Sequence, residues 1–219
     1  GTDEYGRDLR SRILYGSRVS ISIGIVAQIV ASIVGIALGS LAGYYGGWLD
    51  NVISRVMEIF QAFPDLIFAM AIMTFMGKGV LNLFIALGLL TWVRTARMIR
   101  ASVMQLKEKE YIEASRACGA STYWIIMKGL VPNCLSTIIV LVTLGIPNAI
   151  MYEASLSFLG IGIQPPTPSW GNMISAAQTF ISYRPVYSIM PGVAIMITVI
   201  AFNIFGDGLR DALDPKLRG

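Results

Sequence analysis

Histidine is absent from all 219 residues, and cysteine occurs only at Cys118 and Cys134. The first absence removes the commonest catalytic base and metal ligand. The second leaves no CxxC pair and no disulfide framework, so both thiols are expected to be reduced and unpaired. There is no GxxxxGK[ST] phosphate loop. No signal-peptide pattern stands at the start, where a polar segment follows Gly1. Charge is scarce: 14% of residues are Asp, Glu, Lys or Arg, against about 25% in a soluble domain. The chain is therefore expected to be non-catalytic and to bind no metal or cofactor of its own. The basic excess, a formal +4, comes without a base-stacking aromatic pattern, which argues against nucleic acid.

Apolar residues fill the space that charge leaves, at 55% of the chain, with 22 glycines and 11 methionines. They fall in long runs, the distribution of a chain whose solvent is lipid. Residues 19–44 carry no charge and exceed the ~20 needed to cross a hydrocarbon core. Along them Ala31, Gly35, Gly39, Gly43 and then Gly47 recur every fourth residue. Such a small-residue stripe lets another helix backbone approach closely, within one subunit or across an interface. Residues 53–76 contain Arg55, Glu58, Pro64 and Asp65, and Pro64 predicts a kink at FPDLIF. Residues 80–99 are uncharged only as far as Val93. Arg94 and Arg97 are expected to extend their stems towards an interface beside Trp92. Residues 134–160 are apolar apart from Asn148 and Glu153, with Pro147 near the middle. The loop GIGIQPPTPSWGN follows, in which Pro165, Pro166 and Pro168 exclude regular helix. A last span covers residues 189–205, before the amphipathic polar tail GDGLRDALDPKLRG. The expectation is an all-α polytopic membrane protein, a single domain over 1–219 with about five transmembrane helices.

Residues 94–128 hold seven basic and three acidic side chains, which places them in the cytoplasm by the positive-inside rule. The C-terminal tail then also lies inside, and the N-terminus and the proline-rich loop lie outside. Residues 1–18, with four arginines against three acids, weakly oppose that orientation.

The cytoplasmic stretch interrupts the apolar pattern with a charged sequence over 107–132. Residues 107–117 are good helix formers. Gly119 stands where a helix ends in a left-handed cap, and Ser121 can cap a second helix whose apolar face carries Tyr123, Trp124, Ile126 and Met127. Pro132 suits the first turn of the next span. The prediction is two short helices meeting at a tight bend, able to lie in a groove of another protein.

Within this stretch EASRACG resembles the glutamate-alanine-alanine, three residues, glycine signature of the membrane subunits of ABC importers. Glu113, Ala114, Ser115 (alanine in the usual pattern) and Gly119 fall on it, and Pro132 matches its closing proline. Gly129 and Val131 stand where isoleucine and leucine are usual. GTDEYGRDLRSRILYGSRVS, EASLSFLGIGIQPPTPSWGNM and GDGLRDALDPKLR are similar to the permeases for dipeptides, oligopeptides and nickel. Members of that subfamily have six spans, so the resemblance implies that one N-terminal span is missing here. It further implies a prokaryotic inner-membrane location, a second permease subunit, identical or homologous, and an extracytoplasmic substrate-binding protein. Two ATP-hydrolysing subunits would carry ATP and magnesium. Coupling to them would run through Glu113, Ala114, Ser115, Gly119, Ser121, Tyr123 and Trp124. The competing expectation is a self-contained secondary transporter or channel, which predicts internal repeats with broken helices or a ring of pore charges.

Ionisable side chains at membrane depth cost ~2.5–3.5 kcal/mol on insertion scales and therefore mark pathways or ion pairs. Asp65 and Glu153 are the two candidates. Gly145, Asn148, Tyr152 and Ser155 share a helical face by their spacing and complete the candidate pathway. Gly35, Gly39 and Gly43 are the candidate packing residues.

Overall fold

The computed structural model describes residues 1–213, and the last six residues of the tail lie outside them. The chain begins with a knot around Asp3, whose carboxylate accepts the Tyr5 and Arg7 amides, each at 2.9 Å. The same carboxylate pairs with Arg7 at 2.7 Å and Arg12 at 3.4 Å. Burial pushes the Asp3 carboxyl up, but the hydrogen bonds from the Arg7 amide, the Arg7 guanidinium and the Tyr5 amide more than reverse it. Asp8 then caps α1 (Leu9–Tyr45) by accepting the Ser11 amide at 2.8 Å. This helix starts ten residues before the expected span.

The small-residue stripe of α1 packs within the subunit, against α4 (Val80–Leu106). A Cβ on Gly35, Gly39 or Gly43 would lie 2.7, 2.4 or 2.7 Å from atoms of Thr95, Ala96 or Arg100. The two backbones thus touch along the seam. Gly47 departs from the stripe: it lies beyond the helix end, at φ +56°, with nothing beside it.

Between α1 and α4 the expected kink at Pro64 is a full break. Helices α2 (Gly47–Ala62) and α3 (Asp65–Met76) meet at 93°. Proline at position 64 removes the amide that would continue α2, and holds Phe63 extended. Among the described residues, four helices are long and apolar enough to cross a membrane, or five if the broken pair counts as one span.

Beyond α4 lies α5 (Glu110–Ala117). The next arm does not end before the following span, as the sequence suggested. Helix α6 (Thr122–Trp124), a π-helical turn (Ile125–Leu130) and a 3-10 turn (Pro132–Cys134) run without a break into α7 (Leu135–Phe158). Together they form a continuous helical segment of 37 residues, Thr122–Phe158.

The proline-rich loop is irregular, and then a helix that the sequence did not announce, α8 (Trp170–Ala177), packs on α7. A reciprocal capping box between Ser169 and Asn172 starts it, and Gly171 lets its backbone sit on Ala154. The last helix, α9 (Val186–Leu213), continues through the first part of the expected tail. Leu9 of α1, Met173 and Ala177 of α8 and Tyr187 of α9 bury one another beside the Asp3 knot.

Candidate functional site

Two regions carry the polar chemistry that the bundle does not use for its own packing. The first is a cavity of about 230 Å³ lined from α1, α2, α3, α4 and α7. Asp65 opens α3 as its first residue, so the break at Pro64 sets its carboxylate at the cavity wall. The Tyr152 hydroxyl donates to it. Asn148, one turn earlier on α7, and Gln61, on α2, also face the cavity; the Gln61 amide oxygen accepts from Arg97 at 2.6 Å. Arg94, expected at an interface, instead lies near the middle of α4 because that helix continues to Leu106. It lines the same cavity, within electrostatic reach of the Tyr152 phenol, and forms no ion pair among the described residues.

Gln28 is a cavity residue that the sequence pattern did not single out. Its side chain is 3% exposed, and its amide nitrogen donates to Ser32 at 3.4 Å. The room for that amide comes from Gly145, where a Cβ would lie 2.2 Å from the Gln28 carbonyl oxygen. A lone amide within an apolar run was the only available signal.

Two expected pathway residues lie elsewhere. Ser155 sits in a mostly apolar groove with Met151, Phe158 and Ile195. Three residues beyond Tyr152 is about 60° round a 3.6-residue helix, enough to leave the cavity face. Glu153 is fully buried and away from the cavity lining. Its two oxygens accept from Ser20 at 2.9 Å and Ser157 at 2.8 Å. Those hydroxyls in turn accept the amides of Trp170, at 3.2 Å, and Ile163, at 2.9 Å. Glu153 is therefore a tie between α1, α7 and the proline-rich loop with the start of α8.

The second region is the elbow of α5 and α6. Gly119 has φ +80°. The Ala120 amide donates to Ser115 O at 3.0 Å and the Gly119 amide to Arg116 O at 2.9 Å, the pair of bonds that defines a Schellman cap. The Ser121 hydroxyl accepts the Trp124 amide at 3.3 Å. The base of the elbow is buried: Ile112 packs with Ile99, Val103, Ile125 and Leu130. Gly129 makes room for it, since a Cβ there would lie 2.9 Å from Ile112 Cδ1. The unusual glycine at this position is thus the seat of an isoleucine from the first arm. Arg116 lies over the Tyr44 ring at 5.2 Å, tying the elbow to the end of α1. The outer face is open. Tyr123 is 75% exposed, and Tyr111, Trp124 and Met127 are also exposed, as are Glu113 and Ala114, while Ser115 is half-buried and spends its hydroxyl on Tyr111 O. Exposed aromatic side chains seated on a buried base are available to a partner.

Known proteins resemble this chain over most or all of its length. Residues 35–219 match the family described as binding-protein-dependent transport system inner membrane component. A glutathione transport system permease protein, GsiD, of Pectobacterium atrosepticum is 43% identical over 218 residues, all of this chain and 72% of that protein. A dipeptide transport system permease protein, DppC, of Alkalihalophilus pseudofirmus is 44% identical with the same coverage. Among solved structures, an inward-facing MetNI methionine ABC transporter chain superposes with a TM-score of 0.71 at 21% identity, covering 93% of this chain and 96% of that one. A chain from an amino acid ABC transporter gives 0.69 at 14% identity, covering 93% and 95%. These two show a common fold. The open elbow and the polar cavity in an otherwise apolar bundle are thus parts of a permease, and this chain belongs to the family of inner-membrane components of binding-protein-dependent ABC importers.

Proposed function

We propose that the chain forms half of the translocation pathway of an ATP-driven importer of short peptides. A second permease subunit, identical or homologous, supplies the other half. Two partner subunits bind ATP and magnesium and hydrolyse the nucleotide, and an extracytoplasmic binding protein delivers the cargo. The elbow over 107–132 lies in the cytoplasm, as its basic excess indicates, and receives the movement of the ATPase subunits.

The observation that carries this proposal is the build of the elbow: a capped bend, seated by Ile112 on Gly129, that exposes Tyr111, Tyr123 and Trp124. A face this apolar serves a partner groove, and its second arm is continuous with the span that lines the cavity. The peptide class is supported by the named cargoes of the two permeases at 43% and 44% identity, and by a cavity that offers charged and amide groups. The test is photo-crosslinking from position 123 in cells that import peptide. The expected product is an adduct with an ATP-hydrolysing subunit; adducts with lipid alone would refute the assignment.

A further inference from the structure

We infer that the cavity is a transit site for zwitterionic peptides, in which Asp65 takes the cargo's ammonium group and Arg94 its carboxylate. This rests on the import of peptides proposed above and adds the side chains that read the cargo inside the membrane.

The treatment of three arginines on one helix carries the inference. Arg94, Arg97 and Arg100 follow one another at intervals of three along α4. Arg100 grips Asp50 through two nitrogens. Arg97 donates to Gln61 at 2.6 Å. Arg94 stands deepest of the three from the cytoplasmic end of α4, where a charge is most costly, yet it forms no ion pair among the described residues and lines the cavity. Asp65 lines the same cavity, and among the described residues its side chain is held by one neutral phenol, that of Tyr152. A carboxylate has about four acceptor positions, so this bond fixes its direction and leaves the charge available. Two opposite charges therefore share one chamber without neutralising each other.

A short peptide carries the complement of that pair, an ammonium at one end and a carboxylate at the other. A guanidinium receives a carboxylate through two parallel hydrogen bonds. The backbone amide between the ends has Gln28 and Asn148 for partners, both in the lining. Dipeptides and glutathione, the named cargoes of the two permeases compared above, share an ammonium and a carboxylate. The volume, about 230 Å³, is what one of the two proposed halves of the pathway encloses by itself.

The test uses the assembled transporter with its binding protein in proteoliposomes, with three probes: dialanine, its C-terminal amide and its N-acetyl form. For each variant, uptake of dialanine relative to each blocked form is divided by the same ratio for the wild type. The binding protein's own preference then cancels. Arg94→Gln is expected to lower the quotient for the amide about tenfold, the scale of one charged hydrogen-bonded contact, and to leave the N-acetyl quotient within twofold (~2). Asp65→Asn shows the reverse. Arg94→Lys, which keeps the charge, retains most of the amide discrimination. Tyr152→Phe, a milder change, shifts only the N-acetyl quotient. Both quotients unchanged, or both falling together in every variant, would overturn the inference while leaving peptide import intact. A wild type that imports no peptide overturns the import proposal, and this one with it.

Discussion

Substitution of Gly119 isolates the conformational cost of the elbow. Its φ is +80°, and a Cβ added there meets nothing within 4 Å. Collision therefore contributes nothing, and the whole penalty is that of holding an L-residue in the left-handed region. For alanine that is about 1–2 kcal/mol, or roughly 5- to 30-fold in the population of the bent form. Valine costs more because its β-branch crowds the carbonyl, whereas asparagine tolerates this region. If the bend opens, the Ser115 and Arg116 carbonyls lose the amides that cap them, about 1 kcal/mol each. The expected order of uptake is glycine, asparagine, alanine, valine. Stimulated ATP hydrolysis should fall in parallel, with membrane insertion unchanged. The assay is uptake and ATP turnover on the same proteoliposomes. Normal transport by Gly119→Val would refute the role of the bend.

The helix seam and the N-terminal knot give two further expectations. Gly39→Ala places a Cβ 2.4 Å from the Ala96 carbonyl oxygen, overpacking worth up to ~3 kcal/mol against ~1 kcal/mol gained in helix propensity. A net loss of about 2 kcal/mol in detergent unfolding is expected, whereas Gly208→Ala in α9, with open space around it, should be neutral or stabilising; equal stability of the two variants would count against the seam. Asp3, whose carboxyl is held below its usual 3.8, contributes stability that is present above that pH and lost as pH falls through the depressed value. Asp3→Asn should therefore lower the melting temperature near neutrality, with the deficit shrinking in acid; a deficit independent of pH would exclude the carboxylate as its source.

The parts legible in the sequence were those governed by local chemistry. Apolar runs gave the membrane helices, the Gly119–Ser121 pair gave the bend, and Pro64 gave a kink at the place where the helix breaks outright. What escaped depends on neighbours distant in the chain. Arg94 looked interfacial because its apolar run ends at Val93, yet α4 continues for thirteen residues past it. Helix α8 begins with a capping box that uses Asn172 where Glu or Gln is the familiar signal. Gly145 fell on the expected polar face, but its effect is the space it leaves for Gln28, a residue 117 positions earlier. Glu153 illustrates the limit of a one-residue argument. Its cost at depth is met by two serines, one of them on α1, which hold it away from the cavity.

The uninterrupted course from Thr122 to Phe158 has a mechanical corollary. At the α-helical rise of ~1.5 Å per residue a segment of this length spans at most about 55 Å, with Tyr123 near one end and the cavity residues Asn148 and Tyr152 towards the other. Any turn of the exposed aromatic end is carried along one continuous helical course to the cavity end, and the π-helical turn, the 3-10 turn and Pro147 are the places where that course can bend. Because the Tyr152 hydroxyl donates to Asp65, that motion also reaches the charged group on the opposite wall of the chamber.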